Sequence, residues 1–449
     1  VFIPAHLCFH ICMADLKQAA RKIFHDTLAA IDIGATMARK LDRAGSRIRC
    51  GESVVDLAEF REVRVVAFGK AAYTMVDGLR SILDPEFPAT GIISAPTPAP
   101  RDLPGFRTFL SGHPVPNEDS LAAGQAILEM LAGCHERTLV FFLLSGGGSA
   151  LVERPLFDDV TLDDVKALNR LLVTCGAPID DINAVRKHLS AIKGGRLAAA
   201  APRAMKITLG VSDVPAGRES ALASGPTIPD PTTVQHAYRV VEQYGLLPKL
   251  PVPVRRRFEH PEMLPETPKA GDPAFARSWF GLLLDMHDLF HQAHQVAEAA
   301  GFATICDNHT DDWPLTKAAD HLLDVLAELK RAHAPRPVCV ISDGEVSSPV
   351  TGDGIGGRNS AFTLDCVEKV AGKRIAVLSA GTDGVDGNSQ AAGAVADGET
   401  LQRARTAGLD PKDYFRRSDA STFFKKLGDA IETGPTGNNL RDLRIFLAE

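Results

Sequence analysis

Along the first half of the chain, short β-branched and aromatic runs alternate with stretches whose apolar residues recur at helical spacing. Residues 63–68, VRVVAF, read as a strand that hands over at Gly69-Lys70 to a helix from Ala71 to about Ile82. Residues 91–94 make a second short strand. The uninterrupted apolar run 139–144 makes a third, buried on both faces. Asp181 and Asn183 precede a helix carrying Arg186, Lys187, Lys193 and Arg196, and its Gly194-Gly195 pair predicts a bend or a close packing contact. Residues 207–211 form a fourth strand, which empties into Ser212-Asp213-Val214-Pro215. Strands alternating with helices in this way predict a parallel sheet with helices on both faces.

Residues 248–273 are rich in proline and poor in large apolar side chains, and read as a linker or surface loop. Residues 282–300 then look helical, followed by strands at 303–306, 338–341 and 375–378. The pattern therefore predicts an α/β protein of two domains: a Rossmann-like parallel sheet over residues 13–265, and a second α/β domain over 275–449. A length of 449 residues agrees, being more than one hydrophobic core normally serves. An amphipathic helix begins near Met13, so the first dozen residues read as an upstream extension; they carry no basic n-region and no clear cleavage site. No apolar run is long enough to span a bilayer, which points to a cytoplasmic protein without a membrane partner.

A composition of 45% hydrophobic and 23% charged residues suits a folded protein. The formal charge of −7, with no long run of Lys or Arg, argues against nucleic acid as the main partner. An anionic metabolite fits better, because a local cluster of cations can sit inside an acidic protein. Eight scattered cysteines form no C-x-x-C pair and no zinc spacing, and read as reduced thiols, mostly in the core.

The chemistry concentrates where strands end. Ser145-Gly146-Gly147-Gly148-Ser149 directly follows the buried third strand. Glycines there let backbone N–H groups converge on one point, and a following helix N-terminus would add its positive dipole end. The same glycines would also serve a tight turn with no ligand. Lys70 lies at another strand-to-helix handover, where a lysine opposes the helix dipole unless an anion is held beside it. Arg358 follows Gly356-Gly357 and offers a planar fork to a carboxylate or phosphoryl group. Asp383 and Asp386, in the glycine-rich loop after the strand at 375–378, could supply the one or two carboxylates a magnesium–phosphate site needs. Asp213 offers a third carboxylate, and His113 a contact to substrate. Lys187 and Lys193, six apart, would converge only if their helix bends near Gly194. No P-loop motif occurs, and Gly352-Asp353-Gly354-Ile355-Gly356-Gly357 does not directly follow a strand as a dinucleotide fingerprint should.

Taken together, these strings resemble the class II glycerate kinases, also called the MOFRL family, some of whose members are labelled putative hydroxypyruvate reductases. The resemblance is carried by Gly69-Lys70-Ala71-Ala72, His113-Pro114-Val115-Pro116, the Ser145–Ala150 turn, Val185-Arg186-Lys187-His188 with Lys193-Gly194-Gly195-Arg196, Ser212-Asp213-Val214-Pro215, Ser224-Gly225-Pro226-Thr227, Gly356-Gly357-Arg358-Asn359, Gly381–Gly387 and Thr433–Asn438. It implies two α/β domains, the second with a mixed sheet, with an active site in the cleft between them, and transfer of the ATP γ-phosphoryl group to D-glycerate, at the 2-hydroxyl, with Mg2+. By position it implies Lys70 and Arg358 as a catalytic pair; it assigns no general base, and among the carboxylates at strand ends Asp213 is the candidate. Ser145–Ser149, Lys187 and Lys193 would hold phosphate or nucleotide, His113 and Asn359 the substrate, and Asp383 and Asp386 the metal. Its partners would be small molecules, with a homodimer as the candidate assembly. The chain departs from the family pattern at Ala216-Gly217-Arg218, at Ser360-Ala361, and at Asp343-Gly344-Glu345, where Gly-Gly-Glu is usual. A nicotinamide-dependent hydroxypyruvate reductase is the rival enzyme reading, and a metabolite-binding homologue without activity the rival outside enzymes.

Overall fold

Parallel strand pairing builds the first of two units in the computed structural model, which describes residues 15–449 except 213, 215, 216 and 439. This larger unit comprises Asp32–Met286 with Gly437–Leu440. Three short strands, β1 (Arg43–Ala44), β2 (Arg47–Cys50) and β3 (Ser53–Asp56), form a small antiparallel sheet. The main sheet follows with β4 (Glu62–Phe68), β5 (Ala89–Ala95), β6 (Phe106–Leu110), β7 (Thr138–Ser145), β8 (Met205–Val211) and β9 (Ser278–Leu284). Their order is β6-β5-β4-β7-β8-β9, and every pairing is parallel.

Burial on both faces explains the near-continuous apolar composition of β7. On one side Val66, Phe68, Val140, Phe142 and Leu144 pack with Ile127 and Leu131 of the helix Glu118–Ala132 and with Leu197. Successive strand side chains alternate, so Val65, Ala67, Phe141 and Leu143 turn to the other side, against the helix Ala72–Leu83, which packs in turn on the helix Ile33–Lys40. The chain runs outward from β4 through β5 to β6, then returns to place β7 on the opposite side of β4. That reversal creates a switch point between the carboxyl ends of β4 and β7, the place where open α/β sheets bind ligands.

Two expectations from the sequence change here. Residues 248–273 are not a linker. Their prolines start helical turns, and the helix Val252–Glu259 sends Val254 and Phe258 into a core shared with the helices Leu162–Thr174, Ile179–Leu189 and Val234–Gln243. Residues 282–284 belong to β9, because pairing with β8 captures them; the helix begins only at Met286.

The smaller unit takes the described residues up to Ile31, together with His287–Thr436 and Arg441–Glu449. Its sheet holds β10 (Ala303–Cys306), β11 (Val338–Asp343), β12 (Ile375–Gly381), β13 (Gly393–Asp397), β14 (Ala430–Ile431) and β15 (Asp442–Ala448), in the order β10-β11-β15-β12-β13-β14. Only β10 and β11 pair in parallel, so the sheet is mixed. The helices Leu315–His333 and Arg358–Val370 cover it through Leu322, Leu326, Phe362 and Cys366. The helix Leu16–Ala30 also packs on this sheet, where buried Lys17 reaches Asp429 at 2.9 Å and Asp397 at 3.3 Å. Because β11 and β12 both run antiparallel to β15, the ends of β10, β11 and β12 and the start of β15 share one end of the sheet. Cys50, Cys134, Cys339 and Cys366 are buried free thiols, Cys175 is half-buried and Cys306 exposed. Among the described residues, no helix is long and apolar enough to cross a membrane.

Candidate functional site

At the switch point of the larger unit, the turn after β7 is tied to the turn after β4. The backbone N–H of Lys70 donates to the Gly146 carbonyl at 3.0 Å, and that of Ala71 to the buried Ser145 Oγ at 3.0 Å. The strands come so close that a Cβ on Gly69, whose φ is +128°, would lie 2.1 Å from Ser145 Oγ. A Cβ on Gly147 (φ +83°) would lie 3.0 Å from His113 Cδ2 and 3.7 Å from Lys70 Cγ. Lys70, His113 and the glycine turn, far apart in sequence, are therefore neighbours. His113 is exposed and Lys70 half-exposed. Ser149 Oγ lies 2.6 Å from Ser224 Oγ, which donates in turn to Asn183 Oδ1 at 3.3 Å. Ala223 (φ 48°) and Ser224 (φ 61°) occupy the left-handed region, at a cost of about 1–2 kcal/mol each. They are held there because Gly194 N–H donates to the Ser224 carbonyl at 3.0 Å and Gly195 N–H to that of Gly225 at 2.7 Å.

The helix that opens on this turn, Gly148–Leu151, has only four residues. The dipole expected to reinforce the turn is correspondingly small, so an anion held there would depend on the turn's own N–H groups.

Lys187 and Lys193 do not converge on the glycine turn as free cations. Gly194 (φ +59°) and Gly195 (φ +81°) break the expected single helix into two, Ile179–Leu189 and Arg196–Ala200. Lys187 Nζ lies 3.0 Å from Asp230 Oδ1 and Lys193 Nζ 2.5 Å from Glu153 Oε2, all four side chains buried. Glu153 also accepts from Ser190 Oγ at 2.6 Å. These two pairs carry the ground beneath the turn. Glu153 and Asp230 carried no sequence signal of their own.

In the smaller unit, Arg358 opens the helix that follows Gly357. Its Nε donates to Asp442 Oδ2 at 2.5 Å, its Nη2 to Oδ1 at 3.4 Å, and its Nη1 to Glu345 Oε2 at 2.8 Å. Burial works against the charge, but Asp442 and Glu345 outweigh it and hold the arginine above its ordinary pKa. Behind it, Asp311 accepts the Glu345 N–H at 2.8 Å and grips Arg441 Nη2 at 2.7 and 2.8 Å. Arg444, fully buried in β15, donates to the carbonyls of Asp343 at 2.9 Å and Gly344 at 2.7 Å. Burial, with Asp311 nearby, pushes the Asp343 carboxyl up to about 6 although Arg441 and Arg444 oppose it. Of this network the sequence marked only Arg358 and, as a departure from pattern, the acid at 343.

Asp386 serves the fold directly. Its Oδ1 accepts the Asn359 N–H at 2.9 Å, and its Oδ2 accepts the Ser360 N–H at 2.8 Å and Oγ at 2.6 Å, capping the Arg358 helix. With both oxygens so used and the side chain buried, it does not fit a magnesium ligand. Asp383 is half-buried rather than buried, which keeps its carboxylate within reach of a hydrated Mg2+, and its Oδ1 accepts the Val385 N–H at 3.0 Å. Asn359 is buried and accepts from Ser379 Oγ at 2.6 Å, a place inside the fold. Asp213 lies outside the described residues.

Comparison with known proteins gives a consistent result. Residues 19–259 match the family described as a domain of unknown function, DUF4147, and residues 338–442 match the MOFRL family. A glycerate 2-kinase of Pyrococcus horikoshii is 33% identical over 442 residues, covering 96% of this chain and 97% of the relative. A putative hydroxypyruvate reductase of Agrobacterium vitis is 35% identical over 442 residues, covering 96% and 94%. The crystal structure of a glycerate kinase from Thermotoga maritima superimposes with a TM-score of 0.82 at 31% identity, covering 97% of this chain and 99% of that one.

Proposed function

We propose that this chain, which belongs to the glycerate 2-kinase family joining a DUF4147 domain to a MOFRL domain, transfers the γ-phosphoryl group of ATP to D-glycerate. The acceptor is the 2-hydroxyl, and the products are 2-phosphoglycerate and ADP. One observation carries the reading furthest: Lys70, His113 and the Ser145–Ser149 turn meet at the switch point between β4 and β7.

Phosphoryl transfer asks a protein mainly for positioning and charge neutralisation. The N–H groups of Gly146 to Ser149 and the Lys70 ammonium supply donors for phosphoryl oxygens. Arg358 spends three of its five N–H donors on Asp442 and Glu345, which aim the guanidinium and leave two for an anion. Bound with ATP, Mg2+ would neutralise charge on the phosphates, and Asp383 is the residue that would hold it. Among the described residues four of the six free thiols are buried, which suits a cytoplasmic enzyme.

Incubation with ATP, Mg2+ and D-glycerate, followed by ³¹P NMR, should show the resonance of 2-phosphoglycerate growing with that of ADP. ADP release that does not depend on glycerate would refute the assignment. Consumption of reduced nicotinamide with hydroxypyruvate would favour the reductase.

A further inference from the structure

The loop after β10 in the smaller unit gathers two imidazoles on one carboxylate. Asp307 is buried, and its backbone N–H donates to the Ile341 carbonyl at 2.8 Å, so pairing with β11 fixes its place. His309 brings Nδ1 to 3.1 Å from Asp307 Oδ1, and His321, on the helix Leu315–His333, brings Nε2 to 2.9 Å from Oδ2. The His321 ring is braced by Trp313, with centroids 5.4 Å apart. One ligand atom from each of the three residues lies within 4.8 Å of the others.

We propose that Asp307, His309 and His321 bind a divalent transition-metal ion of the zinc type. Two imidazole nitrogens and a carboxylate suit zinc, whereas Mg2+ and Ca2+ prefer oxygen ligands throughout. Tetrahedral zinc with bonds of about 2.0–2.1 Å sets its ligand atoms about 3.3 Å apart. Asp307 and His321 are held near that spacing by the strand and the helix, and exposed His309 has room to turn. Each imidazole presents the nitrogen now facing Asp307 and keeps its proton on the other. The same loop carries Asp311, which supports Glu345 and Arg441. Metal binding would thus stiffen the segment that orients Arg358, independently of any magnesium brought with a nucleotide.

The test is calorimetric titration of ZnCl2 into the full chain, freed of metal by EDTA and kept in excess MgCl2. His309→Gln/His321→Gln should bind one equivalent fewer than the unmodified protein, and either single variant should weaken that site at least about tenfold. Zn2+ should also raise the thermal midpoint of the unmodified protein, and not that of the double variant. Because His309 is exposed, His309→Gln keeps the fold and carries the test by itself if His321→Gln does not. Unchanged stoichiometry and affinity in these variants would overturn the site and leave Asp307 as a carboxylate that merely accepts two imidazole N–H groups.

Discussion

The glycine-rich turn of the larger unit and the arginine cluster of the smaller one solve one problem, presenting a cation at the end of a sheet, in different ways. In the larger unit the buried ion pairs and the charge proposed to act fall on different lysines. Lys187 and Lys193 are buried against Asp230 and Glu153, while Lys70 stands half-exposed beside the turn. In the smaller unit both duties fall, in the proposed reading, to a single arginine. Arg358 is bound to Glu345 and Asp442 by three of its five donors, and the two that remain are the ones proposed to meet an anion. Where the two duties are separate, mutation can separate stability from rate. Where one side chain performs both, it cannot.

The largest effect expected from this contrast is on folding. Lys193→Ala leaves Glu153 buried without its partner and should cost about 3–5 kcal/mol in a denaturant melt. Lys70→Ala should instead lower kcat by about 10²–10³, with a smaller loss in the melt than Lys193→Ala gives. A Lys70 variant that loses stability in step with rate would erase the distinction.

Asp343 sharpens the picture of the smaller unit through pH. Its folded pKa of about 6 stands above the ordinary 3.8, and burial is the main cause. Ionising it therefore costs the folded state more than the unfolded one. Its contribution to stability is complete below about pH 4 and is lost as pH rises through about 6, a difference of about 3 kcal/mol. Urea melts from pH 4 to 7 should show Asp343→Asn flattening that slope and gaining stability at neutral pH. A variant with the same slope as the parent would assign the dependence to another group.

The smallest effect is expected at Arg358→Lys, which keeps the charge and loses the fork. Activity should fall about tenfold and stability by about 1 kcal/mol together, read by steady-state kinetics and thermal melts on one preparation. A loss of rate with no loss of stability would show that Arg358 is not as bound to its network as its contacts imply.

The glycine turn was legible from the chain alone because its cause is local. A strand that ends in a left-handed turn favours glycine at Gly69 and Gly147 whatever surrounds it, whereas the close approach of Ser145 that also requires Gly69 belongs to the tertiary structure. The apolar run that became β7 was legible for the same reason, as was the division into two α/β parts. Arg358 and the departure at Asp343 were visible as residues, without their partners. The proline-rich stretch misled because proline starts a helix as readily as it fills a linker, and only packing onto a core distinguishes the two.

The sequence by itself determined the first strands of the two six-stranded sheets and the backbone of the glycine-rich turn, since φ angles and burial patterns are properties of neighbouring residues. Tertiary structure alone decided that β15, the last strand, enters the middle of the mixed sheet. That insertion delivers Asp442 to Arg358 and Arg444 to the turn after β11. It decided likewise that Glu153 answers Lys193 and Asp230 answers Lys187, and that the helix Leu16–Ala30 joins the unit formed by the far end of the chain. Ion pairs and strand order link residues tens to hundreds of positions apart, and hydrophobic periodicity, which reports only local burial, does not specify them.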